Sequence, residues 1–186
     1  MPSIGNILQE TLVLFHGEAI IRNLRVEIDV PQPTPLVQAD KVQIQQVLIN
    51  LMMNAAESMM QSQSAAGVIV VRTEISDGMV QVAVRDSGQG IEEQELQRIF
   101  EAFITTKRAG MGMGLSLCRS IMESHGGHIW AQNNPDEGTT FYSDLLIKQG
   151  ELDVWSSDNE LPLWSSISAL LDGNPRPIRM EVVREL

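Results

Sequence analysis

Between residues 40 and 85 the spacing of apolar residues switches from a helical to an alternating period. That switch commits the chain to a long helix followed by paired strands. Ile44, Val47, Leu48, Leu51, Ala55 and Met59 recur at intervals of three and four, which predicts a helix over 41–61 with one apolar stripe. Asp40 with Gln43 makes a capping box at its start. Residues 68–75 then read as a strand, Ser76-Asp77-Gly78 as a turn, and 79–85 as a second strand with Val80, Val82 and Val84 on one face.

On either side of this block the pattern is plainer. Ile7, Leu8, Leu12 and Phe15 predict a short helix over 5–16, and residues 24–30 alternate as a half-buried strand. Pro31, Pro33 and Pro35 are expected to break regular structure after it. A short helix is predicted over 92–99, a loop over 100–114, and a helix over 113–124 ended by Gly126-Gly127. Residues 128–132 and 139–147 read as a closing hairpin. From Lys148 the character changes: 148–186 holds two of the three tryptophans and no recognisable chemistry. Residues 161–171 there allow a short amphipathic helix. The segment reads as a tail, a piece docked on the core or a neighbour, or sequence added to the natural chain. The expected organisation is one domain over 1–147 and a C-terminal extension over 148–186.

Charge and cysteine usage narrow the function. The net charge of −11 disfavours nonspecific binding to nucleic acid or to an anionic membrane surface. The lone Cys118 excludes an intrachain disulfide and suits a reducing, cytoplasmic setting. No apolar run approaches the length of a membrane span and no secretory signal pattern opens the chain, so no direct membrane contact is expected of it; a longer protein could still be anchored elsewhere.

Three blocks carry chemistry. Asn50, Asn54 and Glu57 fall at i, i+4 and i+7 of the long helix and share a face distinct from its apolar stripe. Two amides and a carboxylate there can offer oxygen to Mg²⁺ and hydrogen bonds to phosphate. Alone, they read first as a solvated helix face. Asp86 ends a strand and is followed by Gly88 and Gly90, so a carboxylate stands beside a backbone that a ligand can approach closely. Alone, that is an ordinary turn. Gly110, Gly112 and Gly114 open a helix whose N–H groups favour an anion, with Lys107 and Arg108 beside them. No Gly-Lys-Ser/Thr follows, so this is not a Walker loop, and no strand runs directly into it, so it is not a dinucleotide fingerprint. Together the blocks form a kit for a purine, a divalent cation and a triphosphate.

Their order resembles that of the ATP-binding catalytic domain of bacterial sensor histidine kinases, in the GHKL superfamily. Gln46 to Ala55 matches the N box, Asp86 to Ile91 the G1 box, Ile99 to Lys107 the F box and Gly110 to Ser116 the G2 box. Gly126-Gly127 and Gly138-Thr139-Thr140-Phe141 match the closing hairpin. The resemblance covers residues 5–147 and implies an α+β fold: a two-layer α/β sandwich whose mixed, mostly antiparallel sheet carries helices on one face.

The resemblance also implies roles. Asn54 would ligate Mg²⁺, Asn50 would meet phosphate or metal-bound water, and Glu57 would share their face. Asp86 would accept from the adenine amine, supported by Thr139, with Gly88, Gly90 and Ile91 shaping the turn. Phe100 and Phe103 would anchor a lid. Thr105, Thr106, Lys107, Gly110, Gly112, Gly114, Leu115 and Ser116 would surround the phosphates. ATP and Mg²⁺ are the implied ligands.

Kinases of this type phosphorylate a histidine on a helical dimerisation domain and pass the group to a response regulator. His16, His125 and His128 all lack the sequence context of an acceptor, and His125 reads as a helix-end residue. The chain therefore resembles the catalytic half of such an enzyme, working on an acceptor domain elsewhere. Two alternatives stay open: a GHKL-type ATPase, or a non-catalytic ATP-binding regulatory module. The ATPases place a carboxylate one turn before the metal-binding asparagine, where this chain has Asn50, a poor general base.

Overall fold

The computed structural model of the chain describes residues 1–30, 33–61, 67–104, 112–153 and 178–181. In chain order the elements are α1 (Ile4–Ile21), β1 (Arg25–Asp29), β2 (Thr34–Val37), α2 (Lys41–Gln61), β3 (Val68–Ser76), β4 (Met79–Arg85), α3 (Gly114–Ser124), β5 (Ile129–Asn133), β6 (Thr139–Asp153) and β7 (Ile178–Glu181). The strands form one sheet in the order β2-β6-β4-β3-β1-β7, with β5 also paired to β6. β1 runs parallel to β3 and to β7, and the other pairs are antiparallel. A parallel neighbour requires a crossover, and α2 lies in the connection between β1 and β3.

Alternation along the strands makes the core. Val26, Ile28, Ile69, Val71, Val80, Val82, Val84, Phe141 and Leu145 point to one face and meet the stripes of the three helices. α1 contributes Ile7, Leu8, Leu12 and Phe15, α2 contributes Ile44, Val47, Leu48, Leu51 and Met52, and α3 contributes Cys118, Ile121 and Met122. The two-layer sandwich expected from the resemblance is what these residues build. Among the described residues no helix is long and apolar enough to cross a membrane.

Several elements differ from the sequence reading. α1 runs five residues past 16, because Ala19 extends its buried stripe and Gly17 faces open space where it displaces no packing. Pro35 lies inside a strand; among the described residues β2 pairs with the strand β6 on one side and has a single bridge, Leu36 to Ser3, on the other, so the missing N–H falls near an edge, with a register irregularity between Pro35 and Val37. Residues 92–99 form a chain of turns in place of a helix: Glu95 N–H donates to the Glu92 carbonyl at 2.8 Å and Arg98 N–H to the Glu95 carbonyl at 2.8 Å. Glu92, Glu93, Gln94, Gln97 and Arg98 are exposed, and the segment meets the core only near its ends, at Ile91, Ile99 and Phe100, too narrow an apolar face to stabilise a regular helix. β6 continues beyond 147 to pair Leu152 with Pro35, and β7, within the expected extension, pairs with β1. The helix allowed by the sequence over 161–171 lies outside the described residues.

The capping box is half made by its own residues. Asp40 Oδ1 accepts the Gln43 N–H at 3.0 Å. The Asp40 N–H, which a capping box would satisfy with the Gln43 side chain, instead donates to His125 Nε2 at 3.0 Å. His125 Nδ1 lies 2.8 Å from the Ile121 carbonyl, so the ring carries its proton on Nδ1 and presents Nε2 as the acceptor. One histidine at the end of α3 thereby closes the start of α2. Replacing Asp40 with Ala should cost about 1 kcal/mol, read as a lowered urea midpoint with unchanged slope.

Candidate functional site

The polar face of α2 meets the start of α3. A Cβ on Gly114 would stand 3.8 Å from Asn50 Oδ1, so the first turn of α3 sits directly on that amide. Met113 at the α3 N-cap makes no side-chain cap bond, which leaves the first N–H groups of the helix for a ligand or water. Leu115 packs on the core, and the Ser116 hydroxyl donates to the Met113 carbonyl at 3.0 Å. Asn50 has a second duty. It hydrogen-bonds the Cys118 thiol, which burial pushes up to about 11 despite that bond. Cys118 is therefore a packed thiol and not a nucleophile. Asn54 and Glu57 follow on α2 and are half-buried.

Asp86 ends β4 and is 1% exposed. Its Oδ1 accepts the Gly88 N–H at 2.8 Å and the Thr139 N–H at 3.3 Å, and its N–H donates to the Thr139 carbonyl at 2.9 Å. The Ser58 hydroxyl also hydrogen-bonds the carboxylate. Burial nevertheless holds its pKa above the ordinary 3.8, because desolvation outweighs these bonds. Thr139 supports Asp86 through its backbone, while its hydroxyl donates to Asn133 Oδ1 at 3.3 Å.

Two of the glycines around Asp86 are dictated by close approach. A Cβ on Gly88 would strike the Ser58 side chain, and one on Gly138, at φ +81°, would strike the Asp86 carbonyl. Gly90 also has positive φ, at +79°, just before Ile91.

The lid region is seen at its two ends. Phe100 is buried, edge-on to Phe141 with ring centroids 6.4 Å apart. Phe103, expected as the second aromatic anchor, is 77% exposed, and its backbone N–H donates to the Gly112 carbonyl at 3.1 Å. Phe103 has φ +67°, a costly conformation for a bulky residue, held where that bond forms. Thr105, Thr106, Lys107 and Gly110 lie outside the described residues.

An open groove of about 840 Å³ occupies the other face of the sheet, lined in part by Val70, Gln81, Ala83 and Tyr142. Among the described candidate site residues, only Asp86 borders it. The structure also shows contributors that sequence reading missed: Ser58 on Asp86, and Asn133 and Asn134 against the turn that follows it. Asn133-Asn134-Pro135 reads locally as turn chemistry. Its bonds to Glu137, Thr139 and Thr140 are local, but its partners in the turn after β4, Asp86 and Ile91, lie more than 40 residues away, and no local signal marks those.

The family model for the histidine kinase-, DNA gyrase B-, and HSP90-like ATPases matches residues 39–149. The sensor protein FixL of Bradyrhizobium diazoefficiens is 42% identical over 141 residues, covering 76% of this chain and 28% of FixL. The nucleotide-free catalytic domain of histidine kinase ThkA superposes with a TM-score of 0.69 at 34% identity, covering 78% of this chain and 93% of that domain. ThkA in complex with the response regulator protein TrrA gives a TM-score of 0.65 at 32% identity, covering 79% of this chain and 41% of ThkA. The chain thus spans little more than a quarter of FixL. With Asn50 set against the α3 N-terminus and a buried aspartate at the end of β4, this chain belongs to the histidine kinase-, DNA gyrase B- and HSP90-like ATPase family, and its catalytic domain is of the sensor histidine kinase type.

Proposed function

We propose that this chain binds Mg-ATP and transfers the γ-phosphoryl group to a histidine on a dimerisation domain, within a cytoplasmic two-component signalling protein. The observation that carries the reading is the meeting of Asn50 on α2 with the uncapped N-terminus of α3. An amide and the N-terminal N–H groups of α3 converge there, the groups a polyphosphate calls for. Asp86, anchored by Gly88 and Thr139, would receive the adenine amine. Asn54 would supply the single protein oxygen that Mg²⁺ needs when phosphate and water complete its shell. The neutral amide oxygen of Asn54, on the half-buried polar face of α2 beside Asn50, is a hard donor of the kind that mode uses. Bound there, Mg²⁺ would neutralise charge on the phosphates.

The chain's own residues then position rather than react. Asn50, an amide already bonded to Cys118, cannot take a proton from water, which favours transfer over hydrolysis. The acceptor imidazole would attack phosphorus, and the bridging oxygen would leave with ADP. A response regulator would receive the group next, by analogy with the ThkA–TrrA assembly.

Calorimetry should show ATP binding that strengthens with Mg²⁺. Radiolabelled ATP should leave the chain unlabelled on its own, and should label a separately supplied acceptor domain with acid-labile phosphate. Acid-labile phosphate on this chain alone would overturn the separate-acceptor reading. Fast phosphate release without acceptor would promote an ATPase instead.

A further inference from the structure

The segment from Asp86 to Ile91 has no helix or regular strand of its own beyond β4. A carboxylate that reads a base must nevertheless be held to within about 0.5 Å. Two asparagines supply the hold. Asn133 uses both ends of its amide on one residue: Oδ1 accepts the Ile91 N–H at 2.9 Å, and Nδ2 donates to the Ile91 carbonyl at 2.6 Å. Asn134 takes the other end of the segment. Its Nδ2 donates to the Asp86 carbonyl at 3.2 Å and to the Glu137 carbonyl at 2.9 Å, while its Oδ1 accepts the Thr140 hydroxyl at 2.6 Å. Both roles need a donor and an acceptor on one short planar group. Aspartate lacks the donor, and serine lacks the reach.

We propose that Asn133 and Asn134 are positioning residues for base recognition: they clasp both ends of the Asp86–Ile91 turn and so set how strongly the site prefers a 6-amino purine to a 6-oxo one. The proposal rests on the reading of Asp86 as acceptor for the adenine amine. The clasp bonds run to the end of β4, the turn and the β5–β6 hairpin. The phosphate end of the proposed site is built on α2 and α3. Releasing the clasp lets the turn shift relative to Asp86, and a hydrogen bond weakens steeply with angle and distance. The loss falls on the base and spares the phosphates.

The test is calorimetric titration of the chain with ADP and with inosine diphosphate, which keeps the sugar and phosphates but carries oxygen at position 6. The unmodified chain should prefer ADP by at least about tenfold. Asn133→Asp keeps the shape and the Oδ1 acceptor but loses the donor to Ile91. Its ADP affinity should fall about tenfold with inosine diphosphate unchanged. Thr140→Val keeps the strand and removes the hydroxyl that orients Asn134; it should lose about threefold for ADP alone, and it decides the matter if Asn133→Asp fails to fold.

A preference retained in both variants overturns the clasp, as does a parallel loss for both nucleotides in a folded variant, which would mark a merely structural role. If the unmodified chain does not discriminate, or if Asp86→Asn keeps the preference while folded, the adenine reading of Asp86 fails first and the clasp falls with it.

Discussion

Asn54→Ala should abolish phosphoryl transfer to an acceptor domain while leaving the fold intact. The residue lies on the polar face of α2, one turn after Asn50, away from the stripe that packs into the core. Asn54 makes an interaction of its own in the structure; alanine, the better helix former, offsets part of its loss, so the melting temperature should fall by no more than a few degrees. What it removes is the proposed protein oxygen for Mg²⁺. A loss of about 3 kcal/mol of transition-state stabilisation corresponds to roughly 100-fold in rate, and the transfer should fall by at least that. ADP binding in the presence of a chelator should change little, because the base is held at Asp86. Transfer surviving at more than a tenth of the unmodified rate would remove Asn54 from the metal site. Equal loss of metal-free ADP binding would make it a nucleotide contact instead.

The second large effect is expected at Asp86, where function and stability should move in opposite directions. Asparagine can accept the Gly88 and Thr139 N–H bonds through its own Oδ1, so the local frame has a replacement acceptor. Its remaining group is then an NH₂ that cannot accept from the adenine amine, and ATP affinity should fall by at least about tenfold.

Stability follows from the buried carboxyl. Desolvation raises its folded pKa above the ordinary 3.8. An acid whose folded pKa lies above its unfolded value binds its proton more tightly when folded. The nucleotide-free protein therefore loses stability at this group as pH rises from about 3.8 through the raised value. An amide in its place does not titrate, so Asp86→Asn should gain on the unmodified chain at neutral pH and lose that gain below the ordinary aspartate range. Scanning calorimetry at both pH values checks the sign. A variant that is relatively more stable in acid than at neutrality would contradict it. A site that tolerates a desolvated carboxylate gives up stability for base recognition.

Both effects rest on residues that sequence alone could nominate. The stripe of α2, the alternation of β3 and β4 and the Gly126-Gly127 stop after α3 are each set by burial within a single element, so their periods are written in consecutive residues. Asn50, Asn54, Asp86 and Gly112 to Ser116 stand at fixed places in those elements, which is why their spacing was legible.

Tertiary structure decided what depends on partners far along the chain. Pro35 is tolerated in β2 only because that strand is an edge beside β6, and the length of β6 follows from the same pairing. Residues 92–99 carry helix-forming side chains, yet most are exposed and only the end of the segment reaches the core, so they remain turns. His125 became a cap for α2 only when α3 was laid beside it. Asn133 and Asn134 read locally only as turn residues, since Asp86 and Ile91, whose backbone groups they satisfy, lie in the turn after β4. Periodicity records which face of an element is buried. Which backbone groups are left needing partners appears only once the elements are packed, and the side chains that answer them are fixed at that stage.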